Sequence, residues 1–255
     1  MTIDGAFRAR VLAREFLEGF WLNLGSPLTA EMAGLAGFDW VLLDHEHGPG
    51  SDTTILHQLQ AVSATPAACL VRIAANEAPR FKRVLDAGAH GVMVPYVTTA
   101  DEARSAVSAM RYPPRGVRGV ARLTRASGFG ARFDEYFAHA HEWLLTLTQI
   151  ETAGSVANAS AIARVDGVDV LFVGPMDLTT SMGIAGQYDH PRFHDALRVV
   201  ADAALGAGKA AGILLLDPAN LPLVRELGYT VVALGSDGGA VASGLKQSLA
   251  TLRAP

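Results

Sequence analysis

Residues 44–47 read Asp-His-Glu-His, at the end of the apolar run FDWVLLD and just before a Gly-Pro-Gly turn. All four side chains can bind a metal or carry a proton. His47 is the candidate general base, because an imidazole titrates close to working pH; the competing reading is a loop histidine that only faces solvent. Glu151 and Asp177 each follow a further apolar run, LTLTQI and VDVLFVG. Two carboxylates from neighbouring strand ends can hold one hard divalent cation and leave positions for water and an oxygen-bearing substrate. The alternative is that each caps a helix, Asp177 at DLTTSMG. Arg72 closes the run ACLVR. Its planar fork suits a carboxylate, either a substrate's or that of a salt bridge on the rim.

Other chemistries lack their groups. The three lysines are Lys82 and Lys246, within helical patterns, and Lys209, just before an apolar run. A Schiff base needs a desolvated amine in the site, and none of the three qualifies. Any carbanion formed here would need a metal to stabilise its charge. The single cysteine, Cys69, lies in an apolar run, which rules out an internal disulfide framework and fits a reducing cytoplasm. A net charge of −4 without long runs of one sign argues against a nucleic-acid partner. The N-terminus, MTIDGAFRARVLAREF, lacks the apolar core of a signal peptide. No stretch approaches the roughly 20 uncharged apolar residues of a membrane span, so a soluble cytoplasmic protein without a membrane partner is expected.

These residues need a frame that brings them together. The chain has 255 residues, half of them hydrophobic, which suits one large α/β domain over 1–255. Short β-rich runs at 19–24, 39–44, 68–72, 91–96, 144–150, 168–174, 210–216 and 230–236 alternate with helical patterns. Helices are expected at Ser51–Ser63, Ala78–Ala87, Thr99–Met110 and Gly239–Leu252, each with start or stop signals. Eight β-then-α units predict a (β/α)8 TIM barrel. An open doubly wound sheet is less suitable, since no GxGxxG turn follows the first strand. Residues 111–142, rich in Arg, Gly and Pro, form a long loop insertion between strands four and five, and loops of that length are usually functional. In a barrel the site forms at the C-terminal strand ends, where Asp44, His47, Arg72, Gln149, Glu151 and Asp177 all fall.

The blocks FDWVLLDHEHGPG, LVRIAANEAPRFKRVLDAGAHGVMVPYVTTADEA, RYPPRGVRGVAR with SGFG, LTQIETAGSVANASAI and VDGVDVLFVGPMDLTTSMG cover nearly the whole chain. In that order they resemble the HpcH/HpaI family of class II, metal-dependent pyruvate aldolases, of the 4-hydroxy-2-oxoheptanedioate and 2-dehydro-3-deoxyglucarate aldolase types. The resemblance implies that Glu151 and Asp177 are metal ligands for Mg2+, Mn2+ or Co2+. It implies that Arg72 contacts the pyruvate carbonyl and carboxylate, and that His47 is the catalytic base with Asp44 upstream of it. Asp86 would associate with that histidine, across a subunit contact. Gln149 would lie close to the metal, and Gly174, Pro175 and Met176 would line the pyruvate pocket. Homo-hexamers built as trimers of dimers, exchanging the helix Gly239–Leu252, are implied as well. Two positions depart from the pattern: His45 stands where a small residue is common, and Met176 is bulkier than usual.

The reaction so implied is reversible cleavage of a 4-hydroxy-2-oxo acid into pyruvate, or a related 2-oxo acid such as hydroxypyruvate, and an aldehyde. An oxaloacetate decarboxylase or an acyl-CoA lyase on the same site is the alternative enzyme. Arg111, Arg115, Arg118, Arg122 and Arg125 in the insertion are its only basic cluster. A barrel kept as a binding module is the non-enzymatic alternative, and the presence of Arg72, Glu151 and Asp177 together disfavours it.

Overall fold

The computed structural model describes residues 3–254. A short helix, α1 (Ala6–Leu12), precedes β1 (Leu17–Leu22), after which strands and helices alternate. They run α2 (Pro27–Leu35), β2 (Trp40–Asp44), α3 (Asp52–Val62), β3 (Ala68–Arg72), α4 (Ala78–Ala87), β4 (Gly91–Val94) and α5 (Ala100–Met110). The second half contains α6 (Phe133–Trp143), β5 (Leu145–Ile150), α7 (Ala153–Ala157), α8 (Ala159–Ala163), β6 (Val170–Val173) and α9 (Pro175–Ser181). It ends with α10 (Pro191–Gly206), β7 (Ala210–Leu215), α11 (Leu221–Glu226), β8 (Tyr229–Ser236) and α12 (Asp237–Arg253). The strands pair in parallel in chain order, and β8 returns to β1 to close a (β/α)8 barrel.

The helix signals act as expected. In α5, Thr99 and Glu102 form a reciprocal capping box. In α4, Pro79 opens the first turn and Gly88 ends the helix with φ 100°. Residues 111–142 are more ordered than the expected loop. A 3-10 turn, Arg125–Ser127, is followed by α6, which buries Tyr136 and Ala140 four residues apart.

Strand parity separates two layers of core. Leu42, Leu70, Leu147 and Phe172 point into the barrel, while Val41, Leu43, Cys69, Val71 and Val173 pack under the helices. Large and small residues alternate inside. A Cβ on Gly19 would lie 2.1 Å from the Trp40 indole, so only glycine fits beside that ring. Burial pushes the Cys69 thiol up, which keeps it protonated and inert.

The insertion is held by its arginines. Arg118 is buried between the rings of Tyr112 and Tyr136, 4.5 and 5.5 Å from its guanidinium carbon, and pairs with Asp86 at 2.7 Å. Arg125 donates to Ala87 O at the C-terminal end of α4 (2.8 Å). Arg111 pairs with Asp166 and Arg122 with Asp134. Four of the five arginines are therefore engaged within the chain, which leaves little of the basic surface a CoA tail would need.

Candidate active site

The parity that points Leu42 and Leu70 inward also points Asp44 and Arg72 inward, one at the mouth end of each strand. The two are register partners across β2 and β3. Arg72 donates from Nε to Asp44 Oδ1 (3.0 Å) and from Nη2 to Asp44 Oδ2 (2.6 Å), a fork-on-carboxylate pair with both side chains buried. Trp21 Nε1 donates to Asp44 Oδ2 (3.1 Å), and the backbone amides of Glu46 and His47 donate to Oδ1 (3.0 and 3.2 Å). Burial raises the Asp44 pKa, but the hydrogen bonds and charge of Arg72 outweigh it and hold the carboxyl below its ordinary value. Asp44 thus fixes Arg72 and the backbone of the 44–47 turn. Among the described residues no hydrogen bond joins it to the His47 ring; it meets His47 through the backbone amide alone.

Two strands on from β3, Gln149 and Glu151 continue the inward parity of β5, and Asp177 stands in the first turn of α9, beyond β6. Glu151 is buried. Its Oε1 accepts from Tyr96 N (2.6 Å) and its Oε2 from Gln149 Nε2 (2.8 Å). Asp177 Oδ1 accepts from the Tyr96 hydroxyl (3.0 Å). Burial, with the nearby carboxylates of Glu46 and Asp177, pushes Glu151 up to about 7, against the lowering effect of the Tyr96 amide. Glu46 is also raised, first by burial. Its Oε2 lies 2.9 Å from Arg72 Nη1 without hydrogen-bond alignment and so stays without a donor, as does Gln149 Oε1.

Among the described residues no group of three or more His, Cys, Asp or Glu side chains is arranged to enclose a metal. The residues at the mouth nevertheless fit a hard cation shared with substrate. They offer two carboxylates, an orphaned amide oxygen and, with Asp44 and Glu46, more carboxylates than the one guanidinium of Arg72 offsets. The space is kept open by Gly174, where a Cβ would lie 2.6 Å from Glu151 Oε2 and 3.0 Å from Gln149 Nε2.

His47, Arg72, Gln149 and Asp177 share one cavity of about 310 Å³, closed on its other side by Trp21, Phe172, Gly174, Pro175, Met176, Leu214 and Leu216. The His47 side chain is exposed and its ring has no hydrogen-bond partner among the described residues, so it is free to meet a ligand. A larger cleft, about 560 Å³, lies outside the barrel between α3 and α4 and includes His45, Arg80 and Arg83. Arg80 pairs there with Glu77 and Arg83 with Asp52, so its charges are matched, and it holds no convergent carboxylates. The mouth cavity is the candidate site. None of the three lysines lines it.

Asp86 lies apart from these groups. It sits near the end of α4 and binds Arg118, so within one chain it braces the insertion and does not support His47. Sequence reasoning missed Tyr96, Trp21, Leu214 and Leu216. Inward parity from Leu17 would have found Trp21, and the position of Tyr96 just past β4 would have marked it as a mouth residue.

A closed parallel barrel with an acidic, arginine-bearing pocket at its C-terminal face defines the general class. The HpcH/HpaI aldolase/citrate lyase family model matches residues 17–244, and the chain belongs to that family. It is 41% identical to a hydroxypyruvate/pyruvate aldolase of Cupriavidus necator, over 99% of this chain and 94% of that one. It is also 41% identical to a 5-keto-4-deoxy-D-glucarate aldolase of Enterobacter sp. (strain 638), over 93% and 92%. A crystal structure of an HpcH/HpaI aldolase/citrate lyase family protein from Burkholderia cenocepacia J2315 superposes with TM-score 0.93 at 38% identity, covering 98% of this chain and 100% of that one. Family and relatives assign a carbon–carbon lyase of the aldolase type.

Proposed function

We propose that this single-domain barrel is a metal-dependent aldolase that reversibly cleaves a 4-hydroxy-2-oxo acid into pyruvate, or hydroxypyruvate, and an aldehyde. The observation that carries the reading is the pair of carboxylates at the barrel mouth: Glu151, which is buried, and Asp177 are both bonded to Tyr96, beside the cavity that His47, Arg72 and Asp177 line. Such a cluster is unfavourable without a cation and favourable with one. Glu151 and Asp177 would hold Mg2+, Mn2+ or Co2+, which supplies Lewis-acid polarisation of the 2-oxo acid when bound.

The rest is done by the chain's own residues. Arg72, fixed by Asp44, places a guanidinium where negative charge grows on the keto oxygen as the C3–C4 bond breaks. His47, at the open side, accepts the proton of the 4-hydroxyl and returns it in the condensation direction. Trp21, Phe172, Leu214 and Leu216 keep water from the developing carbanion. The name of the Cupriavidus relative supports pyruvate or hydroxypyruvate as the 2-oxo acid.

Assembly as a hexamer with exchanged C-terminal helices belongs to the same proposal. The start of α12 is tied down, where Asp237 accepts from Asn23 N and Thr29 Oγ1. Val241, Leu245, Leu249 and Leu252 along its length are exposed. A cytoplasmic location is part of the same proposal. No described helix is long and apolar enough to cross a membrane.

Borohydride reduction in the presence of pyruvate tests the chemistry. Intact mass spectrometry is expected to show unmodified protein, and a pyruvate adduct on any lysine would refute the metal-enolate reading.

A further inference from the structure

Among the described residues, Tyr96 is the one residue bonded to both carboxylates of the mouth. Its amide donates to Glu151 Oε1 (2.6 Å) and its hydroxyl to Asp177 Oδ1 (3.0 Å). Its φ is +52°, in the left-handed region that a bulky L-residue seldom occupies. Residues held there cluster at functional sites, because the surroundings must impose the conformation. Here the left-handed turn at the end of β4 lets one residue reach across two strand ends, its backbone towards β5 and its ring towards α9. The residue is exposed, with 52% of it accessible, so core packing does not explain the conformation.

The bonding leaves a defined set of free acceptors. Both Glu151 oxygens already have a donor, from Tyr96 N and Gln149 Nε2. The phenol occupies Asp177 Oδ1 alone, and Oδ2 accepts no hydrogen bond among the described residues. A hydroxyl that engages one carboxylate oxygen fixes the rotation of the group and presents the other oxygen outward. From this we infer that Tyr96 is a positioning residue for the divalent cation: its phenol sets the orientation of Asp177 while its amide sets that of Glu151. The inference rests on the metal-dependent reading above and adds to it a residue outside the ligand pair.

The experiment is calorimetric titration of Mn2+ into chelator-treated protein, without substrate, for wild type, Tyr96→Phe and Tyr96→Gly. Phenylalanine keeps the ring and the amide and removes only the hydroxyl. Glycine keeps the amide and tolerates the left-handed backbone. Partners of metal-binding groups typically contribute about 10–100-fold in affinity, so both variants should bind Mn2+ at least about tenfold more weakly while melting cooperatively. At saturating Mn2+ the Phe variant should regain most of its kcat, with the loss confined to the Mn2+ concentration needed. Wild-type affinity in Tyr96→Phe would overturn the inference, even if the Gly variant were impaired, because the phenol would then be dispensable. Absence of Mn2+ binding in wild type would overturn the metal-dependent reading itself, a separate result.

Discussion

Replacing Asp44 by asparagine tests how the mouth is held together. Asp44 accepts five hydrogen bonds, two of them from Arg72, and the pair is buried, with side-chain exposures of 3% and 8%. Removing one partner of a buried pair costs about 3–5 kcal/mol, because the other charge is left uncompensated. Asparagine keeps the shape and one acceptor oxygen, and Glu46 Oε2 stays near Arg72 Nη1, so the lower end, about 3 kcal/mol, applies. At roughly 2–4 °C per kcal/mol for a chain of this size, Tm should fall by about 6–12 °C. An Arg72 displaced by an ångström should also lower kcat/KM about 100-fold. Because the Asp44 pKa is depressed, the wild-type advantage is present above the ordinary aspartate value of about 3.9 and disappears as pH falls through the lower folded value. Differential scanning calorimetry from pH 7 downward measures this. A Tm for Asp44→Asn equal to wild type at neutral pH would refute the claim that Asp44 anchors the arginine.

Gly174→Ala should cost about 1–3 kcal/mol in stability, since the new Cβ meets Glu151 Oε2 at 2.6 Å and that carboxylate is pinned by two donors; a denaturant melt at wild-type midpoint would contradict this. The raised Glu151 makes the cation-free protein lose stability as pH rises from its ordinary 4.5 towards about 7, because the folded state holds the extra proton. Glu151→Gln should flatten that slope in pH-dependent melts. His47→Gln should keep the wild-type Tm, its ring being exposed and unbonded, while lowering kcat by about 100-fold or more as a lost general base.

Much of this architecture is legible in the string, for a physical reason. Parallel strands buried on both faces read as apolar runs, and β3 and α4 fall where those runs and the Pro79 and Gly88 signals put them. Strand edges drift where burial continues beyond the run. Leu17 belongs to β1 although Glu18 interrupts the apolar pattern. The site residues Asp44, Arg72 and Gln149 are legible from their positions at the C-terminal ends of apolar runs. Partnerships were not legible, because they depend on distances between segments far apart in the chain. Asp44 lies beside His47 in sequence, yet its carboxylate binds Arg72 twenty-eight residues away. Asp86 likewise binds Arg118, across the insertion. The position of Tyr96 past β4 is legible as a mouth residue, but its two bonds are not, because they depend on a backbone torsion that no residue type announces.

The central claim is that a cation held by Glu151 and Asp177 makes cleavage possible. The direct measurement is pyruvate release from a 4-hydroxy-2-oxo acid by chelator-treated protein, before and after adding Mg2+, Mn2+ or Co2+. The account predicts no release without the cation, recovery on addition, and no recovery in Glu151→Gln or Asp177→Asn. Undiminished release from cation-free wild type, or full recovery in either variant, would contradict it.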